Sequence, residues 1–310
     1  MKRSIRVVPS VAARLYKDAT ERSLTCYILG EDLHLSVFPF QDEQQHVTLS
    51  VLRGDEEAVR RAVALAISEE RDTGWFAQRF GDFVRSAAQI AVAYGDASYE
   101  IVFERGRLRG AAREPDSEFS FGIDPIMPTT LHHIFGRPVQ IIPGADAKEW
   151  GRRLIWLDKS STFTLTLPGI PPGRWRRMME ALATLDQGSH DATLLNRPGF
   201  EFRTQQEFLR ASQLLITCPI PWVQRGSLRP ESMSEFYGLY KWLLMKRFVF
   251  RLRERVVSLL NDILSAAGRV KGFSATVSVS SLPRAEDVDR AISDLLAGQD
   301  STENLVRRFL

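Results

Sequence analysis

Cysteine is nearly absent: Cys26 and Cys218 are the two such residues among 310, far apart and without companions. That usage excludes a disulfide framework and a cysteine-built zinc site, and it fits a reducing compartment. Phosphate cradles are missing too. No G-x-G-x-x-G occurs, and PGIPPG at 168–173 lacks the Lys-Ser/Thr pair of a P-loop. None of the five histidines is spaced as H-x-H or H-x-x-x-H, so no metal and no cofactor is expected. Long apolar runs are absent. The richest, Leu239–Phe250, is broken by Lys241, Lys246 and Arg247, which excludes a membrane span. No apolar segment follows the basic start MKRSIRVVPSVAARLY, so no secretory signal is expected. Charge of either sign is in small surplus: a net +3 does not by itself indicate a nucleic-acid binder, and its distribution matters more.

What is present is ordinary globular material, 44% hydrophobic and 25% charged, in a chain long enough for one large domain or two smaller ones. Leu24–Leu29 and Leu33–Phe38, split by Gly30-Glu31-Asp32, predict a hairpin, with Val47–Leu52 as a third strand. Asp55 opens a helix to about Ser68, with Val59, Ala62, Val63, Ala66 and Ile67 inward. The strongest signal runs from Asp72 to Arg113. Phe76, Phe80, Phe83, Val84, Ala87, Ala88, Ala91 and Tyr94 recur at helical spacing, with Gln78, Arg79, Asp82, Arg85 and Gln89 turned away, and Gly95 stops the helix. The period then becomes two: Tyr99, Ile101 and Phe103 share one strand face, Glu100 and Glu104 the other, before a turn at Arg105-Gly106.

Prolines and glycines make 114–136 loop-rich, and strands are predicted at Pro138–Ile142, Arg153–Leu157 and Thr162–Leu167. PGIPPG is the candidate boundary. It divides an α+β domain, 1–168, from a mainly helical one, 169–310. Pro172 starts a helix with Trp175, Met178, Met179, Leu182 and Leu185 inward and Gly188 as its stop, and Thr204-x-x-Glu207 caps another. Ser232-x-x-Glu235 opens a helix over 232–267, with Gly268 as its stop. Leu244, Phe248, Leu252, Val256, Leu259, Leu260 and Ile263 form its buried face, with Lys246, Arg247, Phe250, Arg251, Arg253 and Glu254 largely opposite. So wide an apolar face on so long a rod asks for partners along its whole length. A strand at 273–280 with a hydroxyl outer face, a helix after Pro283 with Val288, Ala291, Ile292, Leu295 and Leu296 inward, and a last helical turn after Ser301-Thr302 complete the chain.

Candidate catalytic groups are sparse. His132-His133 lie near Asp116, Glu118 and Asp124, a set able to do metal or acid–base work in a hydrolase, although adjacent histidines rarely share one ion. Ser189-His190-Asp191 holds triad residue types, but sequence neighbours point apart. Glu100 and Glu104 are expected on a solvated strand face. The basic groups are more suggestive. Arg174-Trp175-Arg176-Arg177 and the cationic side of the long helix interleave Lys and Arg with aromatics, a composition that follows a phosphate backbone without reading bases. Phe250 among arginines points to a contact surface.

AYGDASYEIVFERGRLRG (93–110) and PRAEDVDRAISDLLAGQDSTENLVRRFL (283–310) resemble two passages of bacteriophage portal proteins: the end of the wing helix where it meets β-structure, and the helix, Gly and Ser/Thr-capped helix that close the chain. A long helix before the final strand also suits that layout. The Pro-Asn segment before the wing helix and the passage that 151–179 would occupy are not recognisable, and the chain is short for the family. The resemblance implies a non-enzymatic ring of identical subunits that conducts double-stranded DNA during packaging, in cytoplasm or virion, beside a separate packaging ATPase. Lys246, Arg247, Arg251, Arg253, Arg174, Arg176 and Arg177 would face DNA. The alternatives are a cytosolic interaction module whose long helix a partner buries, and a hydrolase using the 116–133 acids and histidines.

Overall fold

The computed structural model describes residues 24–40, 43–67, 76–103, 118–128, 130–141, 153–189 and 235–309, with scattered positions between 209 and 222. In order these form α1 (Leu24–Val37), α2 (Glu43–His46), β1 (Val47–Arg53), α3 (Glu56–Ile67), α4 (Phe76–Tyr94), β2 (Asp96–Val102), β3 (Gly122–Ile126), β4 (Leu131–Ile134), β5 (Arg137–Ile141), β6 (Leu154–Trp156), β7 (Thr162–Thr166), α5 (Pro172–Ser189), α6 (Glu235–Lys271), β8 (Ser274–Val279), α7 (Ala285–Leu296) and α8 (Thr302–Phe309). This is the expected α+β mixture. The strands make three antiparallel sheets, ordered β1-β8, β3-β2-β7 and β4-β5-β6.

Local chemistry explains many boundaries. Asp55 accepts the Ala58 amide at 2.8 Å and caps α3, whose buried residues are the five expected from the sequence. Gly95 takes φ +90°, which lets α4 stop and β2 start at once. Strand β2 then departs from the simple hairpin. Its neighbours are β3 and β7, and both its faces are covered, so Glu100 is 4% exposed rather than solvated. Glu104 and the Arg105-Gly106 turn lie outside the described residues, as do Asp72, Thr73, both predicted capping boxes except Glu235, and both cysteine side chains.

Two stretches fold otherwise than their composition indicates. Leu24–Val37 is one helix, not a hairpin, because Leu29, Leu33 and Val37 recur every four residues and all three are fully buried. Gly30 is carried inside that helix. The 114–136 passage holds strands β3 and β4; Pro125 is tolerated because β3 is a sheet edge, where a missing N–H costs no ladder bond.

Helix α6 is the longest described element, 37 residues or roughly 55 Å at the standard rise. The rod is sheathed by its own chain. Leu243, Leu252, Val256, Leu260, Ile263, Leu264 and Ala267 are fully buried against α4, α1, β7, β8, α7 and α8. Among its large apolar side chains only Phe236, Tyr237 and Val270, near its two ends, are more than a third exposed. The expectation that a lone copy leaves this face uncovered is therefore corrected. The wrapping comes from β8, α7 and α8 folding back, and from α1, which sequence patterning puts in a sheet. One continuous hydrophobic cluster runs from Leu29 to Phe309 across 168–173.

Gly268 does not end α6. The helix continues to Lys271, and Gly272, at φ +80°, makes the turn instead, with Gly272 and Phe273 amides both donating to the Gly268 carbonyl. Gly268 is needed for another reason: a β-carbon there would collide with the Phe273 carbonyl oxygen. Gly268→Ala should therefore cost about 2–3 kcal/mol in denaturant unfolding, against a propensity gain of roughly 1 kcal/mol expected from an open helix site. A variant as stable as the parent would refute the close approach. Leu296, expected inward on α7, is 62% exposed.

Candidate nucleic-acid interface

Four of the candidate DNA-facing residues lie on α6, where Arg253 is buried, Lys246 and Arg247 are partly buried and Arg251 stays exposed beside α7. Arg247 and Arg251 both bind Asp289 of α7, each at 3.0 Å. Arg253 is 5% exposed, donates to the Pro283 carbonyl and lies 4.7 Å over the Phe250 ring. Burial lowers its pKa to about 10, with Glu254 opposing the shift. Lys246 rests over Trp242 at 5.2 Å, and its pKa is lowered by burial first and by Arg253 second. The predicted outward side of α6 is thus the seat of α7 and α8. Phe250 marks a contact, as its setting suggested, but the contact is internal: it is 5% exposed and meets Phe309.

The other three sit in the first turns of α5. Pro172 is the first helical residue. Trp175 is fully buried and donates its indole N–H to the Val92 carbonyl, which anchors this end of α5 to α4. Arg174, Arg176 and Arg177 consequently point outward, and all three are exposed. Among the described residues Arg174 has no side-chain partner, and Arg177 bonds only the Gly173 carbonyl of its own turn, at 3.3 Å. Arg176 donates to the Tyr94 carbonyl at 2.9 Å and reaches Asp96 at 3.4 Å. Burial raises the Asp96 pKa, and the charges of Arg176 and then His133 pull it back. Leu131 of β4 packs on Ile126, whose strand partner is Ser98 of β2, so hairpin β4–β5 lies near Asp96 and the first turns of α5, where the three arginines form a cationic district.

The two histidines lie in a strand, not a loop. They are exposed and successive, so they project to opposite faces of the sheet. No group of three His, Cys, Asp or Glu side chains able to hold a metal occurs among the described residues. Asp116, His190 and Asp191 fall outside them.

One polar cluster escaped sequence reading. Arg85, placed outward by helical spacing, is 4% exposed. It binds Glu43 at 2.8 Å, Asp82 at 2.7 Å and the Pro39 carbonyl at 2.9 Å, and lies 4.2 Å over the Phe40 ring. His34 meets Phe40 as a tilted ring pair at 5.5 Å, its pKa lowered chiefly by burial. The signal in the sequence was Asp82 three residues before Arg85, an ion-pair spacing on a helix. No protein-family model matches the chain, and neither the curated proteins nor the solved structures contain a significant match.

Proposed function

We propose that this chain is a non-enzymatic, portal-like structural protein that assembles with its own copies into a conduit for double-stranded DNA, the energy being supplied by a separate packaging ATPase. The observation that carries the reading is the cationic district at the start of α5: Arg174, Arg176 and Arg177, all exposed on its first turns, with Arg176 reaching Asp96. Repeated around a ring, such a district becomes a collar of charge that holds phosphates without reading bases, and DNA can slide through it. Two further features suit the reading. Helix α4 runs directly into β2, and β8 is followed by α7, Gly298 and α8, the element orders that the resemblance implies at 93–110 and 283–310. DNA contact passes from α6, whose arginines serve α7, to α5.

Replacing Arg174, Arg176 and Arg177 together by Gln should weaken duplex binding and flatten the slope of log K against log salt by roughly 0.9 for each phosphate no longer neutralised. Arg247→Gln with Arg251→Gln should leave that slope unchanged. Equal salt dependence for the triple variant and the parent would remove the assignment. The interaction-module reading keeps one specific support, the half-exposed apolar residues Ile141, Leu154 and Trp156 on the β5–β6 face.

A further inference from the structure

Hairpin β4–β5 pairs Ile134 with Arg137 and turns on Phe135-Gly136, whose φ angles are 50° and 72°. This is the primed two-residue turn that right-twisted strands favour, and its first position ordinarily carries Asn, Asp or Gly because a β-carbon is strained there. Here it carries a phenylalanine that is 98% exposed. Neither the turn nor the core gains from that ring, so folding does not account for it. His132, His133 and Arg137 are exposed around it, and β4 and β5 contain no Asp or Glu. The tip is an apolar knob beside a cation, Arg137, on strands without an acid.

A complementary surface exists on the same chain. A cavity of about 480 Å³ is lined by Phe40, Glu43, Gln44, Gln78, Asp82 and Arg85 among others. Phe40 is 52% exposed and offers a ring to stack on. Arg85 faces two carboxylates, and the Asp82 side chain is 66% exposed, so the mouth carries net negative charge. Knob and cavity belong to opposite ends of α4. Gln78, Asp82 and Arg85 lie in its first half, whereas β4 packs through Leu131 on Ile126, the strand partner of Ser98, a few residues past its end. From Asp82 to Tyr94 the helix advances roughly 18 Å at the standard rise, so the two face different neighbours.

We propose that the Phe135 hairpin of one copy seats in the Phe40–Asp82 cavity of the next, a head-to-tail contact between copies of this chain. It rests on the assembly reading above and names the surfaces that would build it. A contact of this heterologous kind closes into a ring when the rotation per copy permits, and otherwise runs on as a filament.

Light scattering after size exclusion provides the test. The parent should run as a multimer of the 35.1 kDa chain. Phe135→Asp removes the knob, and Gln78→Arg puts a bulky cation at the cavity; each variant alone should run at single-chain mass. Mixed in equal amounts, one still has its cavity and the other its hairpin, so they should form a complex of twice that mass and grow no further. Phe135→Asn suits the left-handed turn, so it should keep or raise Tm while abolishing assembly, which separates a missing knob from a misfolded chain. A Phe135→Asp variant that keeps the parent's multimeric mass overturns the contact and leaves the assembly reading standing. A parent that stays at single-chain mass at high concentration overturns both.

Discussion

Trp175→Ala should lower the unfolding free energy by about 5 kcal/mol, a third or more of what a domain usually has. The indole is the largest fully buried side chain among the described residues, and α5 meets α4 through it. Truncation to a methyl loses about 3–5 kcal/mol in transfer and cavity terms. A second loss adds to it. Val92 lies in the last turn of α4, where a carbonyl has no amide four residues on within the helix, and the indole N–H satisfies it. Arg176 does the same for Tyr94. The first turn of α5 is thus the C-terminal cap of α4. Trp175→Phe, which keeps most of the volume and drops the donor, should cost about 1–3 kcal/mol. Urea unfolding of both variants is the measurement. Because the hydrophobic cluster crosses 168–173, the loss should shift a single transition. A Trp175→Ala loss below about 1 kcal/mol would contradict the anchoring role.

Arg85→Met is the second large effect, about 3–5 kcal/mol, since it strands Glu43 in a site where that carboxylate is 9% exposed. The cost comes from the partner left behind more than from the attraction removed. Arg85→Met with Glu43→Met should therefore recover most of it, and the double-mutant cycle should give strong coupling. The pH dependence has a definite sign. Burial already raises the Glu43 pKa above its ordinary 4.5, and Arg85 restrains the rise through its hydrogen bond and its charge. Without Arg85 the folded-state value climbs further, so the single variant's deficit is small at acid pH and grows as pH rises through that value. A deficit that does not change between acid and neutral pH would show that Glu43 is not the stranded group.

How much of this was legible in sequence depends on how local the cause is. The α3 stripe, the stop at Gly95, Pro172 as a first helical residue and the strands at 138–142, 153–157 and 162–167 were readable because periodicity and caps act within a few residues. Leu24–Val37 reads wrongly as a hairpin because Gly30-Glu31-Asp32 looks like a turn, while the four-residue spacing of Leu29, Leu33 and Val37 outweighs it once α4 supplies a surface. Composition alone puts Arg85 and Arg253 in solvent, where guanidinium groups ordinarily sit. Acceptors distant in sequence, Glu43 and the Pro283 carbonyl, bring them inside. Gly268 looks like a helix stop, and its role is set by the backbone of Phe273. For the candidate interface, the α5 arginines could be read as exposed, whereas the pairing of Arg247 and Arg251 with Asp289 could not.

The sheet order holds one more consequence. Strand β1 has a single partner among the described strands, β8, and they pair from Val47 with Val279 to Arg53 with Ser274. The ribosome makes the second of these strands more than two hundred residues after the first, a wait of roughly ten to fifty seconds at ordinary translation speeds. Throughout that interval the backbone edge of β1 that β8 will pair is left open. Newly made chains should therefore need a holding chaperone, and a product stalled before residue 274 should be cut by proteases around 47–53.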